Sequence, residues 1–381
     1  MSKSTTTAIV FIYCSVFIAS SIYVMIPLHP QLASLFDASI QLVSLTSTLF
    51  VLPYSFGLLL FGMLAERFSL RTLLLIGMAL LSTVTGLLSI SDSIYTLIVL
   101  RIFQGILAAS FAPITFAYCF QHFKGSFQAF VIAMVNTGFL FAGVFGQMIS
   151  AFFAETFSYH AVFIAFCCFY LSCLVGLFFT LSSTTKSNST VSLKIKQLYL
   201  TILSCFRNQS LKKLYSITFF LLFTIMLFYG SLEIYLYKQT NVFPISLQLI
   251  RVISLLGILP AFFVSRLVKQ YEAKTILRVQ LGVMIIGFIP AILSINVYTV
   301  VIASLSMIAS TSLTIPMVVL LVGKYAQQNK ATAVSFYSFV LLIGASIGSV
   351  LAATLSFETI LMSIPILFIC ILFIAARLPS G

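Results

Sequence analysis

Residues 41–90 read QLVSLTSTLFVLPYSFGLLLFGMLAERFSLRTLLLIGMALLSTVTGLLSI. Two apolar runs, 41–63 and 72–90, are joined by LAERFSLR, and Glu66, Arg67 and Arg71 are the only charged residues in the stretch. Each run has the length of about 20 residues that a helix needs to cross a hydrocarbon core of about 30 Å. Lipid offers no hydrogen bonds to an exposed backbone, so such a run must satisfy its amides internally, which an α-helix does. The stretch therefore predicts two membrane-crossing helices with a charged turn at one surface.

The same pattern recurs along all 381 residues. Apolar residues make up 61% of the chain and charged residues 7%, against about 25% charged in an ordinary soluble domain. A soluble globule of this size could not cover itself with so few charges. Disorder, collagen-like repeats and a disulfide scaffold are excluded by the apolar content and by the lack of a period or cysteine framework. Further apolar runs fall at roughly 8–28, 94–119, 129–153 and 161–182, and then at roughly 214–236, 245–265, 275–295, 297–323, 331–354 and 357–376. The predicted fold is all-α and integral to the membrane, with twelve transmembrane helices in two six-helix halves, 1–182 and 214–381. The N-terminus runs straight into an apolar span without a small-residue cleavage site, so it reads as a first helix instead of a cleaved signal.

Between the halves lies the one long polar stretch, 183–213. Its SSTTKSNST segment (182–190) reads as flexible linker. In the LKIKQLYLTILSCFR that follows, Ile195, Leu198, Tyr199, Ile202, Leu203 and Phe206 share one helical face. With Lys194, Lys196 and Arg207 beside it, this segment is expected to lie on an anionic membrane surface, a plain soluble linker helix being the alternative.

The net charge of +13 would suggest nucleic acid if it formed a surface stripe. Instead the basic residues occupy short gaps between apolar runs. With the N-terminus inside, seventeen lie in inner segments and only Lys238 in an outer loop, while Asp37, Asp92, Glu155 and Glu358 all fall outside. The positive-inside rule then puts both termini and the linker in the cytoplasm. Six of the seven cysteines sit in apolar stretches without metal-ligand spacing, and read as packing residues.

Three segments carry more specific information. GMLAERFSLRTLLL (62–75) fills the turn after span two, with Gly62 at a helix approach and Glu66, Arg67 and Arg71 as a compact charge cluster. RIFQGILAA (101–109) in span four sets Arg101 and Gln104 on one face, with Gly105 leaving room for a neighbour. NTGFLFAGVFGQ (136–147) in span five repeats small residues at Gly138, Ala142 and Gly146.

These segments, set within six-plus-six spans, resemble the major facilitator superfamily over nearly the whole chain, nearest to the bacterial twelve-span drug:proton antiporters. The first is similar to the loop motif G-x-L-A-D-R-x-G-R-K, with Glu66 for Asp, Ser69 for the second Gly and Thr72 for the last basic residue. The second matches R-x-x-Q-G. The third is similar to G-x-x-x-G-P-x-x-G-G, with Ala142 for Gly, Gly143 for Pro and Gln147 for the last Gly. The resemblance implies a conformational role for Gly62, Glu66, Arg67 and Arg71. It also implies proton coupling at Arg101 and helix packing at Gly105, Gly138, Ala142, Gly143 and Gly146. Two parallel halves with a substrate site between them, each built from inverted three-helix units, is the implied architecture. The expected protein is a monomer in the bacterial cytoplasmic membrane whose partners are a small-molecule substrate, protons and the bilayer. No cofactor, metal or nucleic acid is expected.

Apart from Arg278 and Glu358 at the starts of their runs, the strong charges within the apolar runs are Arg101, Glu233 and Arg251. Ionisable groups are costly there and mark function by default. Glu233, the only carboxylate in any run besides the outer-end Glu358, is a candidate proton carrier with Arg251 beside it; a structural ion pair with Arg251, or contact with outer water, is the plainer reading. No acid lies in spans one to six, so Arg101 needs Gln104, carbonyls, water or substrate. Gln104, Tyr23, Asn136, Tyr229, Tyr235, Asn296 and Tyr337 are candidates for a substrate cavity, or for bonds between helices.

The leading expectation is proton-coupled efflux of small organic molecules. An importer or proton symporter for an anionic nutrient is the alternative, and a non-transporting receptor a remote one. A membrane-embedded transferase lacks an acid, base and nucleophile cluster, and a primary pump lacks a phosphate-binding G-x-x-x-x-G-K-[ST] segment. The chain is therefore not expected to be an enzyme.

Overall fold

The computed structural model describes residues 3–182, 208–238, 246–326 and 330–378; the amphipathic segment read at 195–206 lies outside them. Among the described residues twelve helices are long and apolar enough to cross a membrane. In chain order α1 is Lys3–Leu35, α2 Gln41–Ala65, α3 Leu70–Leu88, α4 Ile94–His122, α5 Gly125–Thr156 and α6 Tyr159–Thr180. The second series is α7 Gln209–Leu236, α8 Leu247–Gln270, α9 Ala273–Leu293, α10 Val297–Tyr325, α11 Lys330–Ala352 and α12 Phe357–Ala376.

The helices outrun the apolar stretches. Arg71 stands in α3, Lys274 and Arg278 in α9, and Glu155 and Glu358 at the ends of α5 and α12. An apolar run marks only the hydrocarbon depth, and a helix continues into the headgroup layer where charges are tolerated. Helix starts are set by short polar side chains. Ser39, Ser69, Ser158, Ser246 and Ser356 each accept from the backbone amide three residues on, covering an amide that the helix leaves unpaired. Asn296 and Thr299 form a reciprocal capping box at α10.

Three spans are irregular. In α1 the helix Lys3–Tyr23 is followed by a 3₁₀ turn, Ile26–Leu28, and a short helix, His29–Leu35. In α4 the helices Ile94–Ala108 and Phe111–His122 meet at a turn. In α8 a 3₁₀ stretch, Leu255–Phe263, contains Pro260 and separates Leu247–Ser254 from Val264–Gln270. A proline has no amide to donate and crowds the preceding turn, so a tighter local winding accommodates it.

The chain divides into two compact units. One comprises residues 1–123, 138–198 and 334–336, and the other 124–137, 199–333 and 337–381. Within each, the same neighbours recur. In the first, α2 packs on α4, α3 on α4 and α6, and α1 on α6; in the second, α8 packs on α10, α9 on α10 and α12, and α7 on α12. The register repeats as well. A side chain at Gly57 of α2 would meet Ala109 and the Ile106 carbonyl of α4, and one at Gly257 of α8 would meet the Ala309 amide and Leu305 carbonyl of α10.

Candidate functional site

Arg101 lies on α4 with none of its surface exposed. Its Nε donates to the Thr46 carbonyl of α2 at 3.1 Å, one terminal nitrogen to Gln104 Oε1 at 2.5 Å, and the other to the Ser21 carbonyl of α1 at 2.9 Å. Gln104 passes the link on, its Nε2 donating to Thr85 Oγ1 of α3 at 2.8 Å. The guanidinium face rests 4.1 Å from the centroid of Phe50. Ser21 stands in the last turn of its helix, where carbonyls have no partner of their own. The cation therefore ties four helices of one unit together through carbonyl and amide dipoles, without a carboxylate. Gly105, one residue beyond Gln104, makes this approach feasible, since any side chain there would strike the Phe50 backbone.

The corresponding helices of the second unit carry a chain of hydroxyls. Tyr229 of α7 bonds Ser304 of α10 at 2.8 Å, and Ser304 bonds Ser254 of α8 at 2.5 Å. Ser254 donates to the Ile250 carbonyl at 2.7 Å. Arg251, half-buried, lies 5.2 Å from the centroid of the Tyr229 ring. Glu233 is exposed near the end of α7, and among the described residues no ion pair joins it to Arg251.

The other candidates scatter. Asn296 is a capping residue, its Oδ1 accepting from the Thr299 amide and its Nδ2 donating to Ser294. Asn136 is buried and donates to the Ile132 carbonyl of its own helix. Tyr235 stacks on Phe357 at 4.9 Å, and Tyr23 lies near Gly143, where an added side chain would meet its ring at an ordinary 3.6 Å. Tyr337 is buried, and among the described residues its hydroxyl has no hydrogen-bond partner, a costly arrangement that a water or a ligand oxygen would relieve. Among the described residues no three His, Cys, Asp or Glu side chains converge as metal ligands.

The family model described as Major Facilitator Superfamily matches residues 9–349. The chain belongs to this superfamily. It is 25% identical over 317 residues to an uncharacterized transporter of Buchnera aphidicola subsp. Schizaphis graminum, covering 82% of this chain and 74% of that protein. It is 23% identical over 330 residues to the uncharacterized MFS-type transporter YybF of Bacillus subtilis, covering 86% and 80%. The crystal structure of FucP, a major facilitator transporter in the outward conformation, superposes with a TM-score of 0.77 at 13% identity over the whole of both chains. The chain is thus a multi-pass membrane protein of a transporter family, which is not an enzyme class.

The major facilitator loop segment does more than carry charge. Gly62 is buried, Glu66 closes α2 as its C-terminal cap, and Arg67 is half-buried. Arg71 donates to the Phe178 carbonyl in the last turn of α6 at 3.1 Å. A counterpart in α9 was not anticipated from the sequence: Arg278 donates to the Ala375 and Ala376 carbonyls at the end of α12, at 3.2 and 3.0 Å. Thr7 of α1 and Lys213 of α7 complete the scheme, donating to the Thr180 and Arg377 carbonyls. The turn before α9 also holds an acid, Glu272. Lys274 bonds Glu272 at 3.0 Å and holds its carboxyl below the usual range.

The small residues of α5 line a seam with α1. Gly138 faces Ser15, Gly146 faces the Ser20 backbone, Ala142 between them is fully buried, and Ser150 donates to the Val24 carbonyl at 2.6 Å. The second unit has its own version, missed in the sequence although its spacing was legible: Gly344 and Gly348 of α11 face the Phe219 and Phe223 backbone of α7, and Ala352 meets Gly230. Close backbone approach through small residues is how helices associate where lipid provides no hydrophobic drive.

Proposed function

We propose that this major facilitator protein is a proton-coupled secondary transporter that exports small organic molecules, exposing its substrate to the two sides of the membrane in turn. The reading is carried by the seam of Gly138, Ala142 and Gly146 against α1, on the segment that resembles the antiporter motif. Glu233 supports the proton half of the exchange, being exposed and without an ion pair to Arg251 among the described residues. The protein resides in the cytoplasmic membrane of a bacterium with both termini inside, as its basic loops suggest. A second reading, symport of a proton with an anionic molecule, is favoured by Arg251, whose positive charge no carboxylate among the described residues pairs with.

The test is uptake into proteoliposomes under an imposed pH gradient, with a panel of neutral, cationic and anionic organic compounds. Antiport accumulates substrate when the lumen is acidic, and symport when the outside is acidic. Substrate movement that ignores the gradient would overturn proton coupling in either direction.

A further inference from the structure

The structure treats Arg251 unlike the other arginines packed within its spans. Arg71, Arg101 and Arg278 each donate to backbone carbonyls of neighbouring helices. Arg251 is the fifth residue of the helix beginning at Leu247, and is half-buried. Among the described residues its guanidinium makes no hydrogen bond and no ion pair; its contact is the Tyr229 ring at 5.2 Å. A ring face attracts a cation but accepts none of the five N–H bonds at the guanidinium edge.

The ring beneath it is held in one orientation. Ser254 gives its proton to the Ile250 carbonyl, so the proton in the contact between Ser254 and Ser304 comes from Ser304. The proton between Ser304 and Tyr229 must then come from the phenol. Three hydroxyls and three protons run in one direction across α7, α10 and α8 and end on a carbonyl. Ser254 lies three residues from Arg251 on the same helical face, so the chain that fixes the ring also borders the cation. A fixed aromatic platform under a guanidinium with a free donor edge suits a planar oxyanion, which can take two parallel N–H bonds. One cation neutralises one charge, and a dianion would leave a surplus charge in an apolar setting.

We infer that Arg251, seated on Tyr229, recognises a carboxylate, and that the substrates of this transporter are small organic monoanions. The inference rests on the transport reading above and adds the substrate class to it. Glu233 follows Tyr229 by one turn on α7 but does not occupy the donor edge. Among the described residues nothing occupies that edge.

The experiment uses the full chain, with benzoate and hexanoate as probes and benzamide and hexanamide as their uncharged counterparts. Binding is read from the thermal shift of detergent-solubilised protein, and transport from saturable uptake into proteoliposomes. The carboxylates should stabilise the wild type and the amides should not. Arg251→Gln should weaken carboxylate binding roughly ten- to a hundredfold, the loss of one charge-assisted contact. Arg251→Lys should fall between, since an ammonium keeps the charge without the fork. Equal binding of amides and carboxylates by the wild type overturns the inference without recourse to any variant, as does undiminished carboxylate binding by Arg251→Gln. Uptake of amides alone, unchanged in Arg251→Gln, would overturn the carboxylate and leave transport standing. Carboxylate binding lost in Arg251→Gln without movement across the bilayer would support the carboxylate site at Arg251 and overturn transport, and with it the substrate class.

Discussion

Arg71 and Arg278 play matching parts in the two units: each lies in the first two turns of the third helix of its series and donates to carbonyls in the last turn of the sixth. Carbonyls in the last turn of a helix carry its negative dipole end, so a cation is favoured there. Arg278→Ala and Arg71→Ala each remove bonding of this kind. The expected loss is about 1–2 kcal/mol for either variant, exposure to solvent weakening both. Thermal unfolding in detergent reads it, and a wild-type melting temperature in either variant would refute the role. Transport by Arg71→Ala should also fall at matched expression, because a contact made in one conformational state alone shifts a two-state population.

The two glycine seams differ in what faces them. Gly138 faces a serine side chain that can rotate aside, whereas Gly344 faces the Phe219 carbonyl, which cannot. Gly344→Ala should therefore destabilise by about 1–3 kcal/mol, the range for overpacking a close contact, and Gly138→Ala by less. Equal melting temperatures for the two variants would contradict this account.

Orientation is open to direct labelling. Asp92 is exposed near His160, and Lys269 is exposed at the end of α8. In a background without native cysteines, an impermeant maleimide should mark Asp92→Cys in sealed cells, and Lys269→Cys only after permeabilisation. The opposite pattern would reverse the assigned topology.

Arg101 is fully buried and holds α1 and α2 at once. A lysine carries the charge but not the fork, so Arg101→Lys should lose about 3 kcal/mol of stability. If Arg101→Lys melts like the wild type yet fails to transport, the arginine acts on protons or substrate rather than on helix packing.

The fold was legible because hydrophobic runs of span length leave few alternatives in lipid, as the stretch 41–90 shows. Arg101 and Gln104 were legible as a pair, being one turn apart. Their partners were not. Ser21, Thr46 and Thr85 contribute carbonyls or a hydroxyl from distant helices, and a backbone acceptor has no sequence signature. The hydroxyl chain from Tyr229 to Ile250 was hidden for the same reason. Two features could have been found: Leu277-Arg278 repeats Leu70-Arg71, and Gly344 and Gly348 repeat the spacing of α5. Both were obscured because the turn before α9 departs from the loop motif that drew attention to the first half.

Glu233 distinguishes the ways in which protons could enter the cycle. It is exposed in α7, one turn beyond Tyr229, and makes no ion pair with Arg251 among the described residues. Glu233→Gln keeps the size and hydrogen-bonding capacity of the side chain but cannot ionise. As the proton carrier, Glu233 should be needed for uphill transport driven by a pH gradient, while Glu233→Gln retains substrate binding and downhill exchange. Carboxylate binding should persist too, since the variant removes the one nearby acid on α7 that could compete for Arg251. A merely structural acid predicts a different result, a lower folded yield restored when Arg251 is neutralised as well. The measurement is gradient-driven uptake in inverted vesicles. Wild-type rates in Glu233→Gln would move the search for the coupling group to Glu66, in the turn between α2 and α3, or replace coupled transport with facilitated passage.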